Sequence, residues 1–391
     1  MEKKLPEGWK EYKIKDIGDV VTGSTPPKKD PENYGGVLPW IKPPDLDIDK
    51  FVSTSEETIS ETGRKKVRLL PKGSVLVSCI GNIGKVAIAD TELCTNQQIN
   101  SIIPDENIVV SDFLYYTIKK IRPYLENIAS SAVVPLLNKT DFSNINIKLP
   151  PLETQKKIVS ILEKAEETRK LRAQADELTQ KLLQSVFLEM FGDPVKNSRE
   201  WKLHKLGEIG NWTSGGTPSR SKPEYFHGEI PWFTAGELND SYVYGSKEKI
   251  TKEALNSSSA KLFPAGTMLI GMYDTAAFKM GILKNPASSN QACAAFSPKV
   301  EVINTLFALY LFKEMKDSFL SQRRGIRQKN LSQSIIKKFE VPVPPIELQK
   351  QFADMVQKID QIKESQKQSS LETNNLFDAL MQKAFTGKLV S

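Results

Sequence analysis

Leu149-Pro150-Pro151-Leu152-Glu153-Thr154-Gln155 opens a stretch of sequence that continues to Gly192 without another glycine or proline. Prolines are tolerated in the first turn of a helix because the N–H groups there have no partner within the helix. At the other end, Gly192 followed by Pro194 is a typical helix stop. The stretch therefore predicts one long helix, which at ~1.5 Å per residue would span about 55–60 Å.

The apolar residues of this stretch follow a coiled-coil pattern. Leu171, Ala175, Leu178 and Leu182 recur at alternating spacings of four and three residues. That spacing places them on one side of a helix, where they need a second helix to bury them. We therefore expect a partner helix.

A second stretch of the same kind lies near the C-terminus. Pro344-Pro345-Ile346-Glu347-Leu348-Gln349 restates the first opening 194 residues later (344 − 150 = 194), and Gly387 is the corresponding stop. Its apolar positions keep the same three-four spacing, although Gln366, Ser369 and Thr373 interrupt them. The residues predicted to bind a partner along the two helices are Leu171, Leu178, Leu182, Ile359, Ile362, Leu376 and Leu380.

The whole chain is predicted to be a tandem duplication, because matching residues recur at nearly constant offsets. Trp9 corresponds to Trp201 (201 − 9 = 192), and Asn96-Gln97 corresponds to Asn290-Gln291 (290 − 96 = 194). Short β-type runs and helical runs alternate in each copy, which favours an α+β fold. The predicted divisions are two globular domains, 1–150 and 195–343, and two helices, 151–192 and 344–391, packed as an antiparallel coiled coil with pseudo-two-fold symmetry.

Composition excludes several classes of protein. The 391 residues carry a net charge of +7, which is compatible with a polyanionic partner. Three cysteines without a CxxC motif indicate a reduced, cytoplasmic protein. The N-terminal residues lack the apolar core of a signal peptide, and no apolar run is long enough to cross a membrane, so no membrane association is expected.

Catalytic motifs are missing from the sequence. The two histidines, His204 and His227, have no neighbours at metal-ligand spacing, so no metal site is predicted. Gly81-Asn82-Ile83-Gly84-Lys85 lacks the first glycine and the Ser/Thr of a phosphate-binding loop, and a tight turn explains it better. We expect no catalytic residues and no cofactor bound to this chain.

Basic residues are concentrated in the globular parts. Arginine beside glutamine is suited to reading base edges, whereas lysine suits phosphate contact. A solvated basic surface is the alternative interpretation. The predicted DNA-binding residues are Lys28, Lys29, Arg64, Lys65, Lys66, Arg68, Arg220, Lys222, Arg323, Arg324, Arg327, Gln328 and Lys329.

The recurrent residues have more than one interpretation. Trp9, Trp40, Trp201 and Trp232 are expected in the core rather than stacked on bases. Asn96-Gln97 and Asn290-Gln291 could read adenine or could fix a loop. Residues shared by the two copies are expected to be scaffold, and residues that differ are expected to carry specificity.

Taken together, the two Pro-Pro-x-Glu-x-Gln helix openings and the repeated Thr-Pro and Pro-Trp pairs resemble the DNA-specificity subunits of type I restriction-modification systems. The resemblance covers essentially the whole chain. It implies that each globular part is a target-recognition domain for one half of a bipartite, asymmetric DNA sequence. It also implies that the two helices are spacers that dock partner subunits.

The resemblance further implies the partners and their cofactors. These are double-stranded DNA, two methyltransferase (modification) subunits and restriction subunits. The S-adenosylmethionine, ATP and Mg²⁺ of such complexes are used by the partners, so this chain would be non-catalytic. Two alternatives remain open: a two-headed scaffold that binds acidic proteins, and a split methyltransferase of an unfamiliar type.

Overall fold

The computed structural model describes residues 5–129, 134–321 and 331–390. The chain divides into two compact units. Unit 1 comprises Met1–Ala173 and Gln368–Ser391, and unit 2 comprises Gln174–Lys367. Each unit therefore contains one globular part and one half of each long helix.

Unit 1 is a mixture of short strands and helices. Its strands are β1 (Lys10–Lys13), β2 (Gly18–Thr22), β3 (Tyr34–Ile41), β4 (Phe51–Val52), β5 (Thr58–Ile59), β6 (Val75–Ser78), β7 (Val86–Ala89), β8 (Cys94–Thr95), β9 (Ile99–Pro104) and β10 (Asn146–Leu149). Its helices are α1 (Glu61–Arg64), α2 (Ser111–Ile128), α3 (Lys139–Ser143) and the start of α4 (Leu152–Phe191), with 3-10 turns at Ile14–Asp16, Pro31–Asn33 and Pro43–Asp45.

These strands form a five-stranded sheet in the order β2-β9-β6-β7-β4, a three-stranded sheet β5-β3-β8 and a pair β1-β10. Strands β6 and β7 are buried along their whole length because side chains cover both of their faces. The core on one side includes Phe113 and Tyr116 of α2, with Ile158 and Leu162 of α4.

Unit 2 repeats this topology. Its strands are β11 (Leu203–Lys205), β12 (Gly210–Ser214), β13 (Ile230–Phe233), β14 (Ser241–Val243), β15 (Glu248–Ile250), β16 (Met268–Gly271), β17 (Met280–Leu283), β18 (Ser288–Ser289), β19 (Cys293–Pro298) and β20 (Glu340–Pro342). Its helices are α5 (Lys252–Asn256), α6 (Thr305–Glu314), α7 (Lys316–Ser321), α8 (Gln333–Ile336) and the start of α9 (Ile346–Ala384), with 3-10 turns at Pro223–Phe226, Ala235–Glu237 and Asp274–Ala276. The sheets are β12-β19-β16-β17-β14, β15-β13-β18 and β11-β20, strand for strand the order of unit 1.

The α+β class and the tandem duplication are thus confirmed. Both long helices are also present, α4 over Leu152–Phe191 and α9 over Ile346–Ala384. Gly192 follows α4 directly with a φ of 75°, whereas Gly387, with a φ of 70°, lies three residues beyond the end of α9. The division into two recognition domains and two spacers is a division by role, and it stays a prediction.

The recurrent glutamine of the helix openings has a structural role. Gln155 is fully buried, and its Oε1 accepts a hydrogen bond from the N–H of Val110 at 3.1 Å. Its Nε2 donates to the carbonyls of Ile108 and Pro150, each at 2.9 Å. The side chain therefore satisfies three buried backbone groups where α4 begins beside α2.

Gln349 makes the same three bonds in unit 2. Its Oε1 accepts from the N–H of Asn304 at 2.8 Å, and its Nε2 donates to the carbonyls of Val302 and Pro344 at 3.0 and 2.7 Å. The Pro-Pro-x-Glu-x-Gln opening is thus the sequence signature of a buried amide that joins the long helix to the globular part.

The two long helices pack antiparallel within each unit. In unit 1, Arg169 Nε donates to Asn374 Oδ1 at 2.8 Å, and the Arg169 guanidinium lies 4.6 Å from the Phe377 ring centroid. In unit 2, Gln366 Nε2 donates to Thr179 Oγ1 at 3.0 Å, and Phe352 packs edge-on against Phe187. The expected antiparallel coiled-coil packing is confirmed, with polar contacts in its middle.

The prediction of which residues form the seam between the two helices, however, is mostly wrong, because five of the seven are largely exposed. Leu171, Leu178 and Leu182 are 58%, 68% and 46% exposed. Ile362 and Leu376 are 50% and 56% exposed. The reason is the helical register: the packed positions are neighbours of the predicted ones, such as buried Leu183 beside exposed Leu182, and one residue turns the helix by ~100°.

Two seam predictions do coincide with the packed face. Ile359 is only 8% exposed and belongs to the core of unit 2, and Leu380 packs half-buried against the core of unit 1. The exposed leucines leave an apolar flank beside the true interface, which an intrachain partner does not cover.

Candidate nucleic-acid interface

In unit 1, the loop after β2 is pinned against the turn that joins β8 to β9. Gly23 N donates to the Ile99 carbonyl at 3.1 Å, and Ser24 N donates to the Thr95 carbonyl at 2.8 Å. A Cβ atom at Gly23 would lie 2.1 Å from the carbonyl oxygen of Asn96, so only glycine permits this approach. The loop is consequently held at a fixed position on the sheet.

Two aromatic residues, buried Trp40 and half-buried Tyr34, also hold this loop through hydrogen bonds. Trp40 is 2% exposed and donates its Nε1–H to the Ser24 carbonyl at 3.2 Å. Tyr34 donates its hydroxyl to the Pro26 carbonyl at 2.7 Å. The prediction that the recurrent tryptophans are core residues is confirmed for Trp9, Trp40 and Trp232, while Trp201 is half-buried and donates to the Phe191 carbonyl at 3.0 Å.

The basic segment Arg64–Arg68 lies against this loop. Arg68 Nη1 donates to the Thr22 carbonyl at 2.6 Å, and Arg68 N donates to Ser24 Oγ at 3.3 Å. Lys66 Nζ is 3.6 Å from Asp30 Oδ2. The fold therefore brings the predicted residues Lys28 and Lys29 and the basic segment Arg64–Arg68 to one surface, which we call loop face 1.

The charges of loop face 1 are only partly compensated. Arg64 forms an ion pair with Glu92, and Lys66 pairs with Asp30. Lys28, Lys29 and Lys65 are exposed, and none of them has an ion-pair partner among the residues that the structure describes. Loop face 1 thus offers free ammonium groups to solvent.

Unit 2 builds the corresponding surface, loop face 2, on the same backbone scaffold. Gly216 N donates to the Ser289 carbonyl at 2.8 Å, and Trp232 Nε1 donates to the Gly216 carbonyl at 2.9 Å. A Cβ atom at Gly215 would lie 2.3 Å from the carbonyl oxygens of Ser289 and Asn290. The duplication thus preserves the geometry of the loop, including its glycine.

Both residues of loop face 2 that were predicted to bind DNA, Arg220 and Lys222, have hydrogen-bond partners within the protein. Arg220 makes two bonds to the Glu248 carboxylate, at 2.6 and 2.8 Å, and its guanidinium lies 4.2 Å from the Phe226 ring centroid. These hydrogen bonds lower the pKa of Glu248 and raise that of Arg220. Lys222 donates to the Tyr225 hydroxyl at 3.0 Å. Arg220 therefore carries a neutralising carboxylate beside it.

One basic residue of loop face 2 was missed from the sequence. Lys261 Nζ donates to Thr213 Oγ1 at 2.8 Å, so it contacts β12 near its end, as Arg68 contacts the last residue of β2, Thr22. Pro71-x-Gly73 and Pro264-x-Gly266 are offset by 193 (264 − 71 = 193), and that offset places Arg68 opposite Lys261. Aligning the two copies would have found it.

The two faces differ most at this basic segment. Arg64-Lys65-Lys66-Val67-Arg68 corresponds to Ser257-Ser258-Ser259-Ala260-Lys261. The surrounding scaffold is the same, but one copy presents four cations and the other presents three hydroxyl groups and one cation. The remaining predicted residues, Arg323, Arg324, Arg327, Gln328 and Lys329, lie outside the described residues.

The two recurrent asparagines hold their turns. Asn96 Oδ1 accepts from Gln98 N at 3.1 Å, and Asn290 Oδ1 accepts from Ala292 N at 3.1 Å. Asn96 is 7% exposed, so its amide is a structural group. Of the two interpretations of this motif, loop fixation applies to the asparagine, while Gln97 and Gln291 are exposed.

The described part of the chain contains no group of His, Cys, Asp and Glu side chains that could hold a metal ion. The three cysteines are buried and free. Burial raises the pKa of Cys79 to about 11 and the pKa values of Cys94 and Cys293 to about 12. These thiols are therefore protonated at neutral pH, which makes them poor nucleophiles.

The family model described as "Type I restriction modification DNA specificity domain" matches residues 6–180 and again residues 198–373. The chain belongs to this specificity family. Its two matches correspond to the two copies of the duplication, each with a globular part and the helix that follows it.

Relatives in the specificity family align with nearly the whole chain or with part of it. The MjaIX specificity subunit of Methanocaldococcus jannaschii is 28% identical over 414 aligned positions, which cover 99% of this chain and 94% of that protein. The HindI specificity subunit of Haemophilus influenzae is 38% identical, but over 41% of this chain and 37% of that protein.

Solved structures share the fold of this specificity-family chain. A chain of a type I R-M system superimposes with a TM-score of 0.68 at 19% identity, covering 99% of this chain and all of that one. The type I S subunit of M. genitalium gives a TM-score of 0.57 at 18% identity, with 98% of each chain covered. In the described ranges, no helix combines the length and apolarity needed to span a bilayer.

Proposed function

We propose that this chain is the DNA-recognition subunit of a type I restriction-modification complex. Each unit would bind one half of a bipartite, asymmetric duplex sequence through its loop face. The observation that carries this proposal is the pair of scaffolds with the same strand order and the same loop hydrogen bonds but different side chains at Arg64–Arg68 and Ser257–Lys261. A shared scaffold with a varied surface is what two related readers of two different sequences require.

The chemistry of the loop faces suits duplex DNA. Uncompensated lysines such as Lys28, Lys29 and Lys65 can neutralise phosphates, which gives affinity without sequence preference. Hydroxyl and guanidinium groups at the variable segment can donate to base edges or to the backbone.

We also propose that the long helices dock the methyltransferase subunits. On the half of α4 in unit 2, Leu178 and Leu182 are exposed four residues apart, and on the half of α9 in the same unit, Ile362 is exposed. Unit 1 exposes Leu171 and Leu376 in the same way. Exposed apolar side chains at helical spacing suit a helix or sheet face of another protein.

The chemistry of the complex would then belong to the partners. S-adenosylmethionine would be bound by two methyltransferase subunits, and ATP and Mg²⁺ would be used with the restriction subunits. This chain would act in the cytoplasm as a non-catalytic subunit. The buried thiols of Cys79, Cys94 and Cys293 fit a role without covalent chemistry. Relatives named as specificity subunits favour this role over a scaffold for acidic proteins.

The experiment that tests this proposal is a methylome. The chain is expressed with the adenine methyltransferase encoded beside it in a host that lacks such a system, and N6-methyladenine is mapped across the genome. A two-part asymmetric motif that requires this chain supports the proposal. No new methylation, although both proteins are folded and co-purify, would favour the scaffold.

A further inference from the structure

Both loop faces contain the same exposed contact between a threonine and a glutamine. Thr25 Oγ1 donates to Gln97 Oε1, and Thr217 Oγ1 donates to Gln291 Oε1. A glutamine amide has one acceptor oxygen and two N–H donors. The hydroxyl bonds the oxygen and so orients the amide, and the NH₂ group has no protein partner among the described residues of either unit.

The contact is built into the fold rather than formed by two mobile side chains. In each copy the threonine follows the loop glycine that approaches the turn, at Gly23 and Gly215. The glutamine follows the asparagine whose side chain closes that turn, and the tryptophan indole holds the loop carbonyl next to the threonine. The amide is thus presented at a fixed place in both units.

A cation is held on the strand that leads into each loop. Arg68 Nη1 is bonded to the Thr22 carbonyl and Lys261 Nζ to the Thr213 hydroxyl, on the strand that leads into the loop. A second cation follows the threonine by three residues, Lys28 in unit 1 and Arg220 in unit 2. An amide donor on a surface that also carries cations is suited to an anionic oxygen, although Arg220 shares its charge with Glu248.

The target of the amide follows from its recurrence. The two units would face different half-sites, so a group kept the same in both must bind what the half-sites have in common. That common component is the phosphodiester backbone. We propose that Gln97 and Gln291 each donate an amide N–H to a DNA phosphate and so set the position of each unit on the duplex, whatever its sequence. The inference rests on the proposed DNA-recognition function.

This assignment differs from base reading, for which glutamine is also suited. A glutamine that bonds adenine needs both its oxygen and its NH₂ group. Here the threonine hydroxyl takes one of the two lone pairs of the oxygen and orients the amide, so the two N–H donors are its fully unoccupied hydrogen-bonding groups. Thr25 and Thr217 are accordingly positioning residues that orient the amide.

The test uses the complex of this chain with its methyltransferase, and it compares wild type with Gln97→Ala and Gln291→Ala. Binding is measured by fluorescence anisotropy, at several salt concentrations, on a duplex with the methylated motif and on one without it. Loss of one hydrogen bond from an uncharged amide should weaken binding to both duplexes about two- to tenfold per site. The dependence of log Kd on log salt should stay unchanged, because a neutral amide displaces no counterion.

Two comparisons make the result specific. Thr25→Val should weaken binding in the same sequence-independent way as Gln97→Ala, whereas Lys28→Ala should also reduce the salt slope by about 0.9. Asn146→Ala, which removes an exposed amide on β10, away from the loop faces and the long helices, should leave binding unchanged.

A loss confined to the cognate duplex, or a change in the methylated motif, would overturn the phosphate assignment in favour of base reading. Unaltered binding by both glutamine variants would overturn it completely. If the wild-type complex itself does not bind DNA, the proposed function fails, and that outcome is distinct from the failure of the glutamine assignment.

Discussion

Gln155 shows how one buried side chain produces a sequence motif. Its amide satisfies one N–H and two carbonyl groups at the joint between the globular part and α4, and it is completely buried. Because leucine cannot replace those hydrogen bonds, Gln155→Leu should lower the free energy of unfolding by about 2–4 kcal/mol. Thermal or urea unfolding measures the loss.

Gln349→Leu should have the same effect in unit 2, because it makes the same three bonds. Gln351→Ala, two residues along the same helix and exposed, is the matched control and should change stability by less than about 0.5 kcal/mol. If Gln155→Leu and Gln351→Ala unfold alike, the amide does not hold the joint.

Glu248 provides a second test at the scale of single residues. Its carboxylate neutralises Arg220 through two hydrogen bonds on loop face 2. If loop face 2 meets DNA, Glu248→Gln should release the guanidinium and remove a charge that repels phosphate. We expect Kd for duplex DNA to fall about three- to tenfold and the salt slope to become steeper by about 0.9.

Glu301→Gln makes the same change of charge elsewhere in unit 2. Glu301 follows β19, near the end of the β12–β19 pair where Gly210 meets Pro298. The loop begins at the opposite end of that pair, at Ser214 and Ala294. Glu301→Gln should affect DNA binding less than Glu248→Gln does. Equal effects from both variants would mean that net charge, rather than the position of Arg220, governs affinity.

At the level of single residues, the sequence identifies basic groups but not their ion-pair partners, and that these groups bind DNA stays a prediction. Lys28, Lys66 and Arg68 were selected by charge, and the fold brings them to one face. The ion pairs of this basic surface cannot be predicted in the same way. Arg64 pairs with Glu92, which lies 28 residues further along the chain (92 − 64 = 28), and no pattern in the sequence indicates that the two residues meet. Lys261 was missed because it stands alone among serines.

At the scale of the element, the two long helices were predictable and their packed face was not. Apolar spacing and the proline and glycine boundaries identify α4 and α9. The contacts between the helices include the polar pairs Arg169 with Asn374 and Gln366 with Thr179, whereas several leucines at coiled-coil spacing are exposed. A search for apolar spacing selects the leucines and misses such an interface.

The exposed flank of α4 gives the prediction that belongs to this scale. Leu178→Glu combined with Leu182→Glu should leave the fold intact, because both side chains are exposed and glutamate is a good helix former. If the flank docks the methyltransferase subunit, co-purification should be lost, since two charges would be buried without partners. Circular dichroism and pull-down measure the two effects separately.

Leu183→Glu is the contrasting variant. Leu183 is 2% exposed within the core of unit 2, so this change should unfold the unit rather than merely disconnect a partner. Normal co-purification of the Leu178→Glu, Leu182→Glu double variant would show that the methyltransferase binds elsewhere.

The whole molecule is a duplication in which neither unit coincides with one repeat. Unit 2 is a continuous segment, Gln174–Lys367, whereas unit 1 combines Met1–Ala173 with Gln368–Ser391. The duplication is visible in the sequence through the Trp9–Trp201 and Gln155–Gln349 matches. The exchange of helix halves is not visible there, because it depends on which half of α9 packs on which globular core.

This exchange predicts different behaviour for the two units when they are separated. A fragment of residues 174–367 contains both helix halves that meet at Phe187 and Phe352, so it should fold cooperatively by itself. A fragment of residues 1–173 lacks Phe377, Met381 and Ala384, which complete the core of unit 1. Their absence removes roughly 5 kcal/mol of apolar burial, a large part of the 5–15 kcal/mol typical of a domain.

Fragment 1–173 should therefore melt at a lower temperature than fragment 174–367, and a peptide of residues 368–391 added in trans should raise its melting temperature. The same peptide with Phe377→Ser should not, because the substitution removes the largest buried side chain that the segment contributes. A fragment 1–173 that is fully stable and indifferent to the wild-type peptide would mean that the C-terminal helix half is dispensable to unit 1. The two repeats would then fold independently, and the helix exchange would serve only to join them.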